Sequence, residues 1–209
     1  MTAQVNVWDL FVRIFHWSLV AFFVTSYITG EDESDLHIYS GYAIFTLISL
    51  RVVWGFVGSK HARFSDFVKS PAAVFAYISS MKAGKPKRYL GHNPAGGAMI
   101  VAMLITLFVI TLSGMKLYAV EEGKGPFAAN NQFQLLQTAY ADDDEHEEKE
   151  HHGKHDGEES VWEEVHEAAV NFMLLLVLLH VAGVFVSGKL HNELLIKAMI
   201  TGRKDADQA

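Results

Sequence analysis

Long apolar stretches alternate with polar links along this chain of 209 residues. Three stretches, 14–30, 94–115 and 168–188, contain no Asp, Glu, Lys or Arg, and a fourth, 36–59, contains only Arg51. An apolar segment of about 20 residues is long enough to cross a roughly 30 Å hydrocarbon layer as a helix. We therefore predict an all-α integral membrane four-helix bundle that forms one domain over residues 1–209. Its spans are expected at about 9–30, 36–58, 94–118 and 161–188.

The charges of the links predict the orientation of these spans. Seven Lys and Arg lie in the link 60–93 and four in the tail after Gly188, whereas the link 31–35 has none and the link 120–160 has three. Short segments rich in Lys and Arg stay on the cytoplasmic side of a membrane. Both termini are therefore expected in the cytoplasm, with the acidic links outside. The first apolar run exceeds the h-region of a cleavable signal, so we expect it to remain as a span.

Most of the acid behind the net charge of −7 lies in the link 120–160. This link holds twelve acids, three lysines and four histidines, and we expect an acidic, His-rich periplasmic loop that is disordered. A solvated tether is its simplest role, with divalent metal binding or docking of a basic partner as alternatives. The positive charge of the link 60–93 is explained by its expected position on the cytoplasmic side of the membrane, so no nucleic-acid partner is expected.

Histidine is the main candidate for holding a cofactor. The chain has no cysteine, which excludes disulfides, iron–sulfur clusters and covalently attached c-type haem. Ionisable residues within membrane spans are rare and usually functional. Four of the eleven histidines lie within or at the edges of predicted spans: His16, His37, His166 and His180.

These four histidines form two pairs at two depths. His166 and His180 lie fourteen residues apart on the fourth span, within about 40° of one helix face and about 21 Å apart along the axis. His16 lies near the cytoplasmic end of its span, at the depth of His180, and these two are called the inner pair. His37 lies near the periplasmic surface, as does His166, and these two are called the outer pair. Two pairs suit two haems, each iron bound by two histidines. The alternative is four satisfied polar residues in a helix bundle.

Arg51 is the one charge in the middle of a predicted span. It follows His37 by fourteen residues, so it lies on the same helix face but near the cytoplasmic end. A guanidinium binds carboxylates bidentately, which makes an ion pair with a propionate of the inner haem the sharper interpretation. Snorkelling to the lipid headgroups is the alternative.

Three further histidines, His61, His92 and His191, lie in or beside segments expected at the inner surface. Neutral imidazole both donates and accepts hydrogen bonds. Each of the three is therefore a candidate for binding a quinone headgroup or relaying its proton, although an interfacial polar residue is the plainer interpretation.

Short motifs that cover most of the chain outside the acidic link carry a family resemblance. They are Val7-Trp8-Asp9, Arg13, His16-Trp17, His37, Gly41-Tyr42, Arg51, Trp54 to Gly58, Arg63-Phe64, His92-Asn93-Pro94, His166, His180 to Gly183 and His191. Together they resemble the bacterial cytochrome b561 family and the b-type cytochrome subunit of nickel–iron hydrogenases. The resemblance implies a four-helix membrane core with two non-covalent b haems, and its ligands fall on the inner and outer pairs. Hydrogenase subunits of the family commonly have one span more than the four predicted here.

The expected function is electron transfer across the membrane. The resemblance implies a respiratory-chain cytochrome in the inner membrane of a bacterium that exchanges electrons between quinone and a redox partner. We expect this partner to be a periplasmic c-type cytochrome or another periplasmic redox protein. One alternative is a quinone oxidoreductase whose outer haem reacts with superoxide or another small oxidant, which leaves open whether the chain is an enzyme. The other is a non-haem transport protein whose histidines relay protons. Lipid is a partner in every case, and a homodimer is compatible with each.

Overall fold

The computed structural model describes residues 4–30, 34–128 and 148–206, and in the last range it describes side chains from residue 161 onward. The described chain is mostly helical. Four of its helices are long and apolar enough to cross a membrane: Leu10–Ile28, Asp35–Val57, Pro94–Glu121 and Val161–His191. The four predicted spans are confirmed, and each agrees with its predicted bounds to within a few residues.

Shorter elements lie between and beyond these spans. In order, the described elements are β1 (Gln4–Asn6), α1 (Leu10–Ile28), α2 (Asp35–Val57), a 3-10 turn (Lys60–Ala62), α3 (Phe64–Phe67), α4 (Pro71–Lys82), α5 (Pro94–Glu121), α6 (Glu148–His191), α7 (Leu195–Thr201) and β2 (Arg203–Asp205). The chain divides into two compact units, residues 1–105 with 173–209 and residues 106–172, and each is described by itself.

Polar side chains begin several helices. Asp9 accepts a hydrogen bond from the backbone N–H of Val12 at 2.8 Å, and Ser70 accepts one from Ala73 at 3.4 Å. Such oxygens satisfy amides that the first turn of a helix leaves without an intrahelical partner. Pro71 follows Ser70 at the start of α4, where its missing N–H costs nothing.

Helix α6 begins at Glu148, well before the fourth membrane span. The prediction of a disordered loop is therefore wrong for residues 148–160, whose backbone is helical. Glu and Lys are good helix formers, and extending an existing helix needs no new nucleation. The span can therefore propagate back into the acidic segment. The rest of the predicted acidic loop, 129–147, lies outside the described residues.

The two ends of the described chain pair with each other. In the antiparallel pair of β1 and β2, Val5 lies opposite Lys204. The N–H groups of Val7 and Trp8 then donate to the carbonyl of Gly202 at 2.8 and 3.1 Å. Gly202 has a φ of 81°, and a Cβ there would lie 2.6 Å from the carbonyl oxygen of Trp8, so a side chain would not fit. We call residues 4–9 and 192–206 the terminal clasp.

Glu193 ties the terminal clasp to the link 60–93. Its two carboxylate oxygens bind Arg88 Nε at 2.5 Å and Lys204 Nζ at 2.9 Å. Burial alone would raise the pKa of the Glu193 carboxyl, but the hydrogen bonds and charges of Lys204 and Arg88 outweigh it and lower the pKa. The carboxylate therefore stays ionised and holds both cations.

Candidate functional site

The inner pair meets within the unit formed by residues 1–105 and 173–209. His16 on α1 and His180 on α6 have ring centroids 6.5 Å apart and ring planes inclined at 47°. The Nδ1 atom of His16 is buried and has no hydrogen-bond partner in the described part of the chain. This contact agrees with the pairing expected from depth, while the role of the two residues as ligands stays a prediction.

The separation of the two rings suits a shared metal ion. An imidazole nitrogen lies about 2.0–2.1 Å from a bound metal and the ring centre roughly 1 Å behind it, so two imidazoles that bind one ion from opposite sides have centroids about 6 to 6.5 Å apart. The 6.5 Å between His16 and His180 lies in that range. A Cβ built at Gly183, three residues after His180, would meet no neighbouring atom within 4 Å, so α6 has open space near this ring. The same holds at Gly41, four residues after His37 on α2. The residues present therefore fit a bis-histidine haem.

Each member of the outer pair is held by a backbone carbonyl of its own unit. His37 Nδ1 lies 2.9 Å from the carbonyl oxygen of Ser26. In the unit of residues 106–172, His166 Nδ1 lies 3.0 Å from the carbonyl oxygen of Ile110 and 3.1 Å from Ser113 Oγ. A carbonyl only accepts, so in both rings Nδ1 carries the proton and Nε2 carries the lone pair. That tautomer suits a ligand that binds iron through Nε2.

Gly114 permits the close approach of α5 to His166. A Cβ at this position would lie 2.9 Å from Cε1 of the His166 ring, which is closer than side chains pack. The Ser113-Gly114 motif is typical of closely packed membrane helices, and in this unit it brings the α5 backbone against the imidazole.

Arg51 is buried, with 3 % of its surface exposed. Its Nη2 atom donates to the carbonyl of Ala62 at 3.1 Å, and its guanidinium lies 5.6 Å from the centroid of Phe64. Snorkelling to the headgroups is therefore wrong for Arg51, because a snorkelling guanidinium is solvated. Its Nη1 atom is buried without a hydrogen-bond partner among the described residues, which leaves a donor for an anionic group.

Asp9 joins α1 to α2 beside Arg51. Its Oδ2 atom accepts hydrogen bonds from Ser59 Oγ at 2.5 Å and Trp54 Nε1 at 3.0 Å. Burial alone would raise the pKa of the Asp9 carboxyl, but the hydrogen bonds from Ser59, Val12 and Trp54, with the charge of Arg51, lower it. The carboxylate therefore stays ionised and holds the two helices together at this end.

His92 lies between aromatic rings. Its centroid is 4.4 Å from that of Trp8 and 5.1 Å from that of Phe67, and its Nδ1 atom is buried without a hydrogen-bond partner in the described residues. Burial, together with the charges of Arg51 and Lys204, lowers the pKa of His92 to about 3. The ring is therefore neutral at physiological pH and suited to hydrogen bonding rather than to carrying charge.

The other two interfacial histidines have different surroundings. His61 Nδ1 lies 3.0 Å from Asp66 Oδ2, so this imidazole has a carboxylate that orients it. His191 lies in the last turn of α6. Of the three quinone candidates, His92 has the buried, unsatisfied polar atom and His61 has the carboxylate partner.

Four helices long and apolar enough to cross a membrane, with imidazoles from two of them 6.5 Å apart, are the architecture expected of a membrane-embedded b-type cytochrome. The comparisons with known proteins agree. The profile of the family described as prokaryotic cytochrome b561 matches residues 7–202, and the chain belongs to this family. The members of this family are b-type haem proteins of membrane electron transfer. Membership therefore argues against the alternative of a non-haem protein that relays protons.

Curated relatives carry the name probable Ni/Fe-hydrogenase B-type cytochrome subunit. Those from Rhizobium leguminosarum bv. viciae and Azotobacter chroococcum mcd 1 are 28% and 30% identical to this chain, over 58% and 59% of it and 62% and 63% of their own length. A third, from Rhodobacter capsulatus, is 24% identical over 58% of each chain. The chain thus spans less than two thirds of the relatives that it matches. No solved structure matches it significantly.

Proposed function

We propose that this protein is a dihaem cytochrome b that carries electrons across the bacterial inner membrane between the quinone pool and a periplasmic redox protein. The observation that carries the proposal is the contact of His16 with His180, which come from two different spans and lie at a spacing that suits one iron. A periplasmic c-type cytochrome is one suitable partner. The names of the relatives suggest a hydrogenase as another.

In this proposal the inner pair, His16 and His180, holds one haem b and the outer pair, His37 and His166, holds the second. Bound haem supplies reversible one-electron chemistry at each site. The histidines supply position: His166 and His180 lie about 21 Å apart along α6 and therefore in opposite halves of the bilayer. The seven Lys and Arg of the link 60–93 support an orientation with both termini in the cytoplasm.

The residues around the inner pair support contacts with a propionate and with quinone. The buried Nη1 of Arg51 is a donor suited to a propionate, and Arg51 lies near enough to His92 for its charge to lower the pKa of that ring. His92 offers a neutral ring for a quinone headgroup. The His61–Asp66 pair, 3.0 Å apart, is placed to move the proton that accompanies quinone reduction.

The proposal is tested on the purified full-length protein in lipid nanodiscs. We expect two non-covalent b haems per polypeptide, two components in a potentiometric titration, and reversible electron exchange with an added quinol. One haem per chain would contradict the dihaem assignment. A full haem complement that does not exchange electrons with quinol would instead contradict the link to the quinone pool.

A further inference from the structure

The inner and outer pairs differ in what holds the Nδ1 atoms of their rings. In the outer pair, Nδ1 of His37 and Nδ1 of His166 each donate to a backbone carbonyl, at 2.9 and 3.0 Å. In the inner pair, Nδ1 of His16 is buried and has no hydrogen-bond partner among the described residues. His16 therefore differs in electronic character from both members of the outer pair, although all three are imidazoles.

Ser113 adds a second acceptor at His166. Its hydroxyl donates to the carbonyl of Ile110 at 3.1 Å, so its hydrogen is used there. The same oxygen lies 3.1 Å from Nδ1 of His166 and accepts from it. Ser113 is 2 % exposed, and burial holds it in this arrangement. The Nδ1–H of His166 is thus shared between a carbonyl and a hydroxyl, both of which favour the same tautomer.

These hydrogen bonds have a predictable effect on a metal bound at Nε2. An imidazole that donates its other N–H to an acceptor becomes a more basic ligand. A more electron-donating ligand stabilises the oxidised iron and so lowers the reduction potential of its site. Arg51 raises the reduction potential of the inner site, because a buried cation disfavours the oxidised form, which has one positive charge more. Both differences give the outer site the lower potential.

We propose that Ser113 is a positioning residue of the outer site, a proposal that rests on the dihaem function above. Ser113 fixes the Nδ1-protonated tautomer of His166 and thereby helps to give the outer site the lower reduction potential of the two. Electrons that enter at the outer surface then find the more favourable site near the inner surface. Ser113 acts through His166 and does not itself bind the cofactor.

The proposal is tested by optical redox titration and by electron paramagnetic resonance of the ferric full-length protein. Ser113→Ala removes the hydroxyl acceptor and keeps the Ile110 carbonyl. We expect it to favour reduction of the lower-potential component by about two- to tenfold, the effect of one hydrogen bond, or roughly 20–60 mV. The g-values of the same component should also shift. The higher-potential component should stay unchanged.

Two further variants separate this role from packing. Thr111→Val is the matched control, because Thr111 is buried in the same helix and its hydroxyl donates to carbonyls of that helix, at Leu107 and Phe108. It should move neither potential. Ser113→Thr keeps the hydroxyl and should restore the wild-type potentials. A shift with Thr111→Val equal to that with Ser113→Ala, or a shift of the higher-potential component, overturns the proposal.

The assignment of each component comes from variants of the inner pair. His16→Ala and, independently, His180→Ala should leave only the lower-potential component. Survival of the higher-potential component would overturn the ordering of the two sites and leave the dihaem function intact. If the two variants removed different components, the pairing of ligands in the proposed function would be wrong instead.

Discussion

His16 and His180 face each other from the first and the last membrane-spanning helices, with ring centroids 6.5 Å apart. Trp17 packs edge-on against His16 at 5.1 Å, so a neighbour in sequence helps to set the orientation of this ring. The inner pair therefore requires α1 and α6 to be associated. A cofactor bound by both rings would in turn stabilise that association, since a ligand of the folded state adds its binding free energy to stability.

Replacing either member of the inner pair is expected to remove the same redox component. His16→Ala and His180→Ala each delete one ligand of a shared iron, so the haem content should fall from two to one per chain. His37→Ala and His166→Ala should remove the other component. Haem per polypeptide and redox titration measure both effects, with Asn171→Ala, an exposed position on α6, as the control. Loss of the same component in His16→Ala and His166→Ala would refute the pairing.

Arg51→Gln is expected to lower the potential of the inner site more than that of the outer site. The guanidinium charge favours the reduced form, so its loss lowers the potential. A charge that acts over a distance on the order of 15 Å at an effective dielectric near 20 is worth about 1 kcal/mol, or on the order of 50 mV. Glutamine keeps a donor for the Ala62 carbonyl, which limits structural damage. The exposed Arg63, changed to Gln, is the control and should have a smaller effect because water screens its charge.

The sequence was sufficient to predict the four spans and the proximity of His16 and His180 for physical reasons. Runs without charge mark the membrane-crossing helices, and histidine depth within them follows from residue counting and the bias of Lys and Arg. The role of Asp9 as an N-cap is also predictable from the sequence, because an Asp directly before an apolar helix is a typical N-cap. Its hydrogen bonds with Trp54 and Ser59 could not be predicted from the sequence, since they depend on how α1 packs against α2.

The terminal clasp and the surroundings of Arg51 could not be predicted from the pattern. Strands of three residues are too short for an alternation of polar and apolar positions to stand out, and β1 pairs with β2 across almost the whole chain. The choice between snorkelling and burial for Arg51 depended on whether the link after α2 folds back over it. That link does so through the carbonyl of Ala62 and the rings of Phe64 and Phe67.

His92 is expected to make the protein less stable at acidic pH. Its pKa is about 3 in the folded protein and near 6.5 in an unfolded chain. Between these values the unfolded state binds one proton more, so the free energy of unfolding falls as pH decreases, by up to about 1.4 kcal/mol per pH unit. His92→Phe keeps an aromatic ring beside Trp8 and Phe67 and removes this titration.

The measurement is the difference in melting temperature between about pH 7.5 and about pH 5.5 for wild type and His92→Phe, in the same detergent. The melting temperature should fall further between these pH values in the wild type than in His92→Phe. His191→Phe is the matched histidine control and should retain the wild-type pH dependence. An equal loss in wild type and His92→Phe would mean that His92 does not titrate on unfolding in this range.

The acidic segment is expected to act on encounter with a partner rather than on the cofactor sites. Deleting residues 142–159 should leave haem content and both potentials nearly unchanged, because a highly charged segment has little apolar surface to bury. Long-range attraction mainly raises association rates and is screened over about 8 Å at physiological salt. Electron transfer to a purified cationic c-type cytochrome should therefore slow with added salt in the wild type, and the deletion should flatten that dependence.

Two comparisons decide how the acidic segment acts. The first uses a chain in which the acids of 142–159 are changed to Asn and Gln, so that the length is kept and the charge is lost. If charge is the cause, the salt dependence of this chain should be as flat as that of the deletion. A salt dependence like that of the wild type would favour the tether role instead. Zinc or nickel titration of the wild type and the deletion then tests the metal alternative, because the deletion removes the four histidines of the acidic link, His146, His151, His152 and His155. Loss of the outer haem on deletion would show that the segment is structural, since solvated charge alone contributes nothing to holding His166.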